Sequence, residues 1–177
     1  MIAGHGPFPM EVISKSMSKR AETLAQRIEQ GANGLASYAE ALTEAQWNTV
    51  VPPDGRTVGV IINHVASVYP VEVHVATEMA AGKTIEGLTW AAIAEMNANH
   101  AKENKAAGKK ETVDLVRKNG GDAAEAIRQF TDEQLDRAVN VSLYGDAPLT
   151  AQFFIEDHAL RHSWHHLAKI KTVLARG

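Results

Sequence analysis

The chain has 177 residues, of which 45% are hydrophobic and 22% charged, and its formal net charge is -3 at pH 7. A chain of this size and composition predicts one compact domain spanning residues 1–177. Its slight acidic excess provides no cationic surface to neutralise phosphates, so we expect no nucleic-acid partner. The sequence has no cysteine, which excludes disulfides, thiolate metal sites and cysteine nucleophiles. Any metal must therefore be bound by histidine, aspartate or glutamate.

The hydropathy pattern predicts a cytoplasmic protein without a membrane partner. No apolar run approaches the roughly 18 residues needed to cross a bilayer, and the first dozen residues lack the apolar stretch of a signal peptide. Residues 1–10 contain two glycines and two prolines, so we expect this segment to be irregular.

The apolar residues recur at spacings of three, four and seven, which is typical of amphipathic helices. The predicted helical segments cover residues 16–42, 57–81, 89–107, 112–130 and 150–174. The fourth segment either continues the third past Gly108 or forms a separate helix. Pro70 is expected to kink the second segment or to mark a break in it.

Proline and glycine mark the loops between these helices. Pro52-Pro53 and Asp54-Gly55 predict a loop over residues 48–56, and the sequence TDEQL at 131–135 predicts a short helical turn. Residues 139–149 are expected to form a loop; the only strand-like segment is 139–144, for which we identify no partner strand. The sequence therefore predicts an all-α protein, an antiparallel four-helix bundle.

Histidine is the most informative residue type in this sequence. Four of the eight histidines, His158, His162, His165 and His166, lie within nine residues. On a helical wheel they form one stripe about 100° wide. His162 and His166 border the apolar face, and their spacing places the two rings one helical turn apart, as binding of one metal ion requires. His165 borders the charged face and is predicted to be a surface residue.

The second helix supplies a third inward histidine. His64 shares a stripe with Val60, Val68, Val71 and Val75, so it should point into the bundle. Taken alone, an inward histidine is usually a neutral residue hydrogen-bonded to a backbone carbonyl or to water. Together with the pair on the last helix, it predicts a site with three imidazole ligands and one open position.

Three further residues are candidates for chemistry near this site. His158 is a candidate for a base or an alternate ligand, and Glu72 for a general base; the ordinary alternative for Glu72 is a solvated helix glutamate. Asn97, which shares a stripe with Trp90 and Ile93, either binds substrate or makes an interhelical polar contact. The remaining histidines include His74 and His5, which we expect to be solvated.

Two segments carry a resemblance to a known family. DGRTVGVIINHVASVY at 54–69 and RHSWHHLAKIK at 161–171 resemble the histidine motifs of the DinB-like superfamily, also called YfiT-like, whose members are four-helix bundles with a three-histidine metal site. The order of helices and loops agrees over nearly the whole chain. The resemblance implies that His64, His162 and His166 are the metal ligands. Lys169 departs from the family pattern, which often has glutamine there.

The resemblance also implies a function. Its members include hydrolases and thiol-dependent transferases and isomerases that use mycothiol or bacillithiol, so we expect a divalent-metal enzyme acting on a small molecule, with water or a low-molecular-weight thiol as the activated group. The alternative is a non-catalytic binding or stress-response module in which the metal only stabilises the bundle. Imidazole ligands predict zinc or nickel, and the family implies a homodimer.

Overall fold

A computed structural model of the chain describes residues 18–176. Within these residues, two short strands and eight α-helices are connected by loops. In chain order they are α1 (Lys19–Glu40), α2 (Glu44–Trp47), α3 (Val58–Ala80), α4 (Trp90–Glu103), α5 (Lys109–Arg128), α6 (Asp132–Asp136), β1 (Ala138–Val141), β2 (Ala147–Thr150), α7 (Ala151–Ile155) and α8 (Arg161–Leu174). A π-helical turn, Glu156–Leu160, joins α7 to α8.

Helices α1, α3, α5 and α8 form a four-helix bundle, which confirms the predicted fold class. Side chains fully buried between them include Ile28, Leu35, Ile61, Tyr69, Ile127 and Ile170. Burial of this apolar stripe on each helix is the main source of stability of such a bundle.

Polar contacts show in which direction neighbouring helices run relative to each other. The carboxylate of Glu40, at the end of α1, pairs with Arg117 in the middle of α5, whereas Glu22 at the start of α1 pairs with Arg128 at the end of α5. These two helices are therefore antiparallel. His162 at the start of α8 contacts Glu72 in the second half of α3, whereas Lys169, further along α8, pairs with Asp54 in the loop before α3; this pair is therefore also antiparallel.

The other two neighbouring pairs run parallel. Asn63 of α3 donates to Thr112, and Asn119, further along α5, donates to the backbone of Ala66. On the opposite side, Trp164 at the start of α8 donates to the backbone of Arg27, and further along both helices Lys171 lies over the ring of Tyr38. The four helices therefore run up, down, down and up in chain order, so the predicted antiparallel arrangement holds for two of the four neighbouring pairs.

Helix α4 is the crossover that the parallel pair α3 and α5 requires. It runs back along α3, and the imidazole of His100 in its last turn contacts Asn63 in the first turns of α3. None of its residues is buried, because it lies outside the bundle. It forms one wall of a pocket against α3.

Side-chain capping determines where several helices begin. Thr57, Thr89 and Thr150 each accept a hydrogen bond from a backbone N–H three residues later. The first helix begins at Lys19, capped by Ser18, rather than at 16; residues before 18 lie outside the described chain. Gly108 precedes α5 as its N-cap, so α4 and α5 are separate helices.

Two local features were not predicted. Helix α2 is a single turn with a capping box formed by Thr43 and Gln46, and this pattern is visible in the sequence. The prediction that the strand-like segment lacks a partner is wrong: β1 pairs with β2 in an antiparallel hairpin. Gly145 and Asp146 adopt left-handed backbone conformations at the turn, which reverse the chain between the strands.

Helix α3 is the most apolar helix of the bundle. It continues unbroken through Pro70 from Val58 to Ala80. In contrast to the expectation that no segment approaches the length of a membrane span, this helix is by length and composition alone long and apolar enough to cross a membrane. However, 67% of its most apolar window is buried inside the bundle. Such burial is typical of the core helix of a bundle.

Close approach of α1 and α5 gives a stability prediction. A Cβ at Gly120 would clash with the Cβ of Ala32, whereas a Cβ at Gly121 would meet nothing within 4 Å. We expect Gly120→Ala to lower the free energy of unfolding by about 1–3 kcal/mol. Gly121→Ala, the matched control, should raise it by up to about 1 kcal/mol, because alanine favours helix interiors. Urea unfolding monitored by circular dichroism measures both values, and equal effects would contradict the close approach.

Candidate metal centre

Three histidines from two helices converge at one place. His64 comes from the second turn of α3, and His162 and His166 come from successive turns of α8. One ring nitrogen from each lies within 4.8 Å of the others. The rings of His162 and His166 are stacked with centroids 4.9 Å apart, and their centroids lie 5.0 and 5.8 Å from that of His64. The predicted cluster of three imidazoles is therefore present.

Glu72 fixes the orientation of one imidazole. It lies two turns after His64 on α3, is 7% exposed, and accepts a hydrogen bond of 2.6 Å from Nδ1 of His162. In the neutral form of the ring, Nδ1 carries the donated proton and Nε2 has the free lone pair. A carboxylate behind a histidine is the usual arrangement that orients a metal ligand.

Burial keeps the other two imidazoles neutral. It lowers the pKa of His64 to about 3 and that of His166 to about 2. The nearby His162 lowers both values further; Arg56 and His100 act on His64 in the same direction, whereas Asp54 opposes them. Neutral imidazole is the protonation state that binds a metal.

These shifts predict how the stability of the metal-free protein depends on pH. Because the folded-state pKa values lie below the unfolded value of about 6.5, protons bind preferentially to the unfolded chain. The contribution of these two neutral histidines to the free energy of unfolding is fully present above about pH 6.5 and is lost as the pH falls towards 3. Urea unfolding at several pH values should show a steeper fall for the parent than for His64→Gln, which cannot titrate. Identical pH profiles would contradict the burial of neutral His64.

The residues fit a divalent metal ion. Nδ1 of His64 and Nδ1 of His166 are buried and have no hydrogen-bond partner within residues 18–176. A buried polar atom without a partner is costly, and a cation held by these nitrogens would remove that cost. A set of three neutral imidazoles is typical of zinc, nickel, copper or iron sites.

The cluster lies in a pocket of about 330 Å³ between α3, α4 and the last helix. Its lining includes all three clustered histidines together with Glu72 and Asn97. The size is typical of small-molecule sites. A ligand in this pocket can therefore reach the imidazole cluster.

Helix α4 contributes polar groups to this region. The predicted stripe of Trp90, Ile93 and Asn97 faces the pocket, and Oδ1 of Asn97 is buried with no hydrogen-bond partner in the described chain. His100, to which we assigned no role, has its ring centroid 5.6 Å from that of His64. Its Nε2 contacts Oδ1 of Asn63 at 2.9 Å, so it packs beside the cluster.

His158 lies in the π-helical turn and contacts two aromatic residues. Its ring stacks on Phe154 with centroids 4.2 Å apart. The hydroxyl of Tyr144 donates to Asp157 at 2.6 Å and lies 2.9 Å from Nε2 of His158. Since the phenol has one proton, Nε2 of His158 is the donor to its oxygen, and Nδ1 is the basic nitrogen. Burial and the hydrogen bond to Asp157 raise the pKa of Tyr144, which keeps the phenol protonated.

The histidines that we expected to be solvated or at the surface are exposed where the structure describes them. His74 is exposed on α3, and His165 is exposed on α8. His165 also borders the pocket, with its ring centroid 5.2 Å from that of His166. His5 lies outside the described residues.

The ion-pair network of Arg56, Asp54 and Lys169 beside the pocket was not predicted from the sequence. Arg56 binds both oxygens of Asp54, which also pairs with Lys169 of α8. These cations lower the pKa of Asp54 well below its usual range, so it remains a carboxylate. The letters DGR at 54–56 indicate only a loop, because the contact with Lys169 depends on the tertiary structure.

Comparisons with known proteins agree with this fold. The sequence profile described as the DinB superfamily matches residues 27–170. The chain belongs to the DinB superfamily. No curated protein sequence matches it significantly. Among solved structures, YfiT from Bacillus subtilis superposes with a TM-score of 0.72 at 21% sequence identity, covering 99% of this chain and 94% of YfiT. YfiT is described as a probable metal-dependent hydrolase with an unusual four-helix bundle topology; this DinB-superfamily chain shares its fold.

Proposed function

We propose that this DinB-superfamily protein is a divalent-metal-dependent enzyme in which His64, His162 and His166 bind the metal, with zinc or nickel as the ion. The observation that carries the proposal is the convergence of three imidazole nitrogens within 4.8 Å inside a ligand-sized pocket. The description of YfiT as a probable metal-dependent hydrolase supports the same class.

The ligand count supports an enzyme over a purely structural metal site. Structural zinc sites usually have four protein ligands, whereas catalytic sites have three and leave a position for water or substrate. Within residues 18–176, the group of potential ligands that includes His64 consists of three histidines. His158, the candidate fourth ligand, is not a member of this group.

The chemistry we propose is activation of a protic nucleophile. A bound divalent ion lowers the pKa of a coordinated water or thiol towards neutrality. The chain's own residues orient the ligands and supply a proton acceptor. Glu72 holds the ring of His162, and His158, which lines the pocket, has a basic nitrogen at Nδ1. Asn97 offers an amide to a substrate. The substrate is a small molecule, and a low-molecular-weight thiol is the second candidate nucleophile beside water.

Metal analysis and a substrate screen test the proposal together. The full chain, purified without a histidine tag, is analysed by elemental mass spectrometry and titrated with Zn²⁺ and Ni²⁺. We expect one ion per chain. The loaded protein is then assayed with ester and amide substrates, with and without added thiols. A requirement for thiol indicates a transferase, and turnover in water alone indicates a hydrolase; failure to bind either ion contradicts the proposal.

A further inference from the structure

We infer that the substrate is amphipathic, with a polar reacting group at the histidine cluster and an apolar alkyl or aryl chain in a separate compartment of the same pocket. This inference rests on the proposed function for the position of the reacting group. The compartment itself is defined by side chains that have no part in the metal site.

Helix α3 shows how the two parts of the pocket are arranged. His64, Val68, Val71 and Val75 lie on successive turns and all line the pocket. The eleven residues from His64 to Val75 cover about 16 Å along the helix axis. His64 lies at one end of this stripe, and Val68, Val71 and Val75 along it are apolar. Glu72 is the polar exception: its Oε1 accepts from His162, and its Oε2 has no hydrogen-bond partner within residues 18–176.

Other elements close the compartment with apolar side chains. The loop before α4, α4 itself, the segment after β1, and α7 contribute Leu88, Ile93, Leu143 and Phe154. Residues from four separate parts of the chain thus form one apolar wall. Such a lining favours an apolar ligand, because binding removes hydrocarbon from water on both surfaces.

The rim of the compartment exposes large apolar side chains. Val71, Trp90 and Met96 line the pocket while being 45%, 61% and 42% exposed. Large apolar side chains that are both exposed and part of a pocket lining are typical of a binding site. An apolar chain that enters there would cover these side chains.

Three charged side chains that line the pocket, Asp157, Arg161 and Arg56, each form an ion pair. Asp157 accepts from Tyr144 and pairs with Arg161 at 3.1 Å, and Arg56 pairs with Asp54. An uncharged chain therefore fits this part of the pocket better than a charged one, since no pairing has to be broken to admit it.

A homologous series of alkyl hydroxamic acids tests the inference. The hydroxamate group chelates a metal ion, so the alkyl chain extends from the histidine cluster. Calorimetric titration of the zinc-loaded full chain with aceto-, butyro-, hexano- and octanohydroxamic acid should show tighter binding by about threefold to fourfold per methylene. Affinity independent of chain length would overturn the inference.

Two substitutions test where the alkyl chain of the ligand lies within the pocket. Val75→Trp fills the compartment, and Ile93→Asp places a charge in it. Each substitution should remove most of the dependence of affinity on alkyl chain length while leaving the affinity for acetohydroxamic acid unchanged. Thr77→Trp and Ala98→Asp are the controls, because these exposed positions on the same helices lie outside the pocket. Equal effects of a variant and its control would contradict the assignment. Circular dichroism confirms that all four variants fold.

A metal-independent measurement separates the inference from the proposed function. The metal-free protein is titrated with 1-butanol, 1-hexanol and 1-octanol. Binding that strengthens with chain length and is lost in Val75→Trp supports the apolar compartment, even if no hydroxamate binds and the metal proposal fails. Normal hydroxamate chelation without any chain-length effect in either series would leave the metal site intact and contradict the inference.

Discussion

Replacing His64, His162 or His166 by alanine is expected to lower the affinity for Zn²⁺ or Ni²⁺ by more than about 100-fold. This exceeds the 10–100-fold loss typical of residues that only orient ligands, because water replaces an imidazole ligand poorly in a site with three protein ligands. The three nitrogens lie within 4.8 Å of one another, so each variant removes one member of the same set. Competitive titration against a coloured chelator measures the affinities.

His165→Ala is the matched control for these variants. It removes an exposed imidazole from the same helix, adjacent to His166, and it should bind metal almost as well as the parent. Circular dichroism must show equal helix content for all four variants. If His165→Ala loses the metal while His166→Ala retains it, α8 presents its other edge to the site and the assigned ligands are wrong.

His158→Ala distinguishes two roles for the histidine of the π-helical turn. Retained metal affinity with lower activity of the loaded protein would support a proton-transferring role at the pocket wall. A loss of affinity comparable to that of His166→Ala would instead make His158 a ligand. Because His158 is not a member of the group formed by His64, His162 and His166, we expect the first result.

Glu72→Ala is expected to lower metal affinity by about 10–100-fold without removing a ligand. The carboxylate accepts the hydrogen bond from Nδ1 of His162, and without it the ring loses both its fixed orientation and a partner that increases the basicity of Nε2. Glu72→Gln should have a smaller effect, because the amide oxygen still accepts a hydrogen bond but carries no charge.

Glu78 provides the control for Glu72. It lies on the same helix, pairs with Lys83 at 2.7 Å and does not line the pocket. Glu78→Ala should leave metal affinity within the error of the titration. The orienting role also predicts that the affinity loss of Glu72→Ala disappears when His162 is already alanine. An equal loss in both backgrounds would contradict coupling between the two residues.

The sequence predicted the helices and the identity of the clustered histidines because both depend on local periodicity. Spacings of three and four place His162 and His166 on one face, and valines on the stripe of His64 indicate that it points inwards. These patterns are the same in any packing of the helices that buries their apolar faces. The cap residues Thr57 and Thr150 were recognisable for the same reason, since capping involves neighbours three residues apart.

Other features depend on contacts between distant parts of the chain and therefore required the tertiary structure. The partner of β1 was missed because β2 contains Pro148 and begins after a turn of only a few residues. The π-helical turn that places Asp157 and His158 beside Tyr144 has no periodic signature.

By itself, the sequence determined an all-helical bundle and three histidines able to meet, because apolar periodicity and i, i+4 spacing are properties of a single helix. The tertiary structure decided which groups surround them. The pairing of Glu72 with His162 spans 90 residues, and the pocket includes α4 because the parallel neighbours α3 and α5 require a crossover connection. Such juxtapositions follow from how helices pack in three dimensions, and no local pattern encodes them.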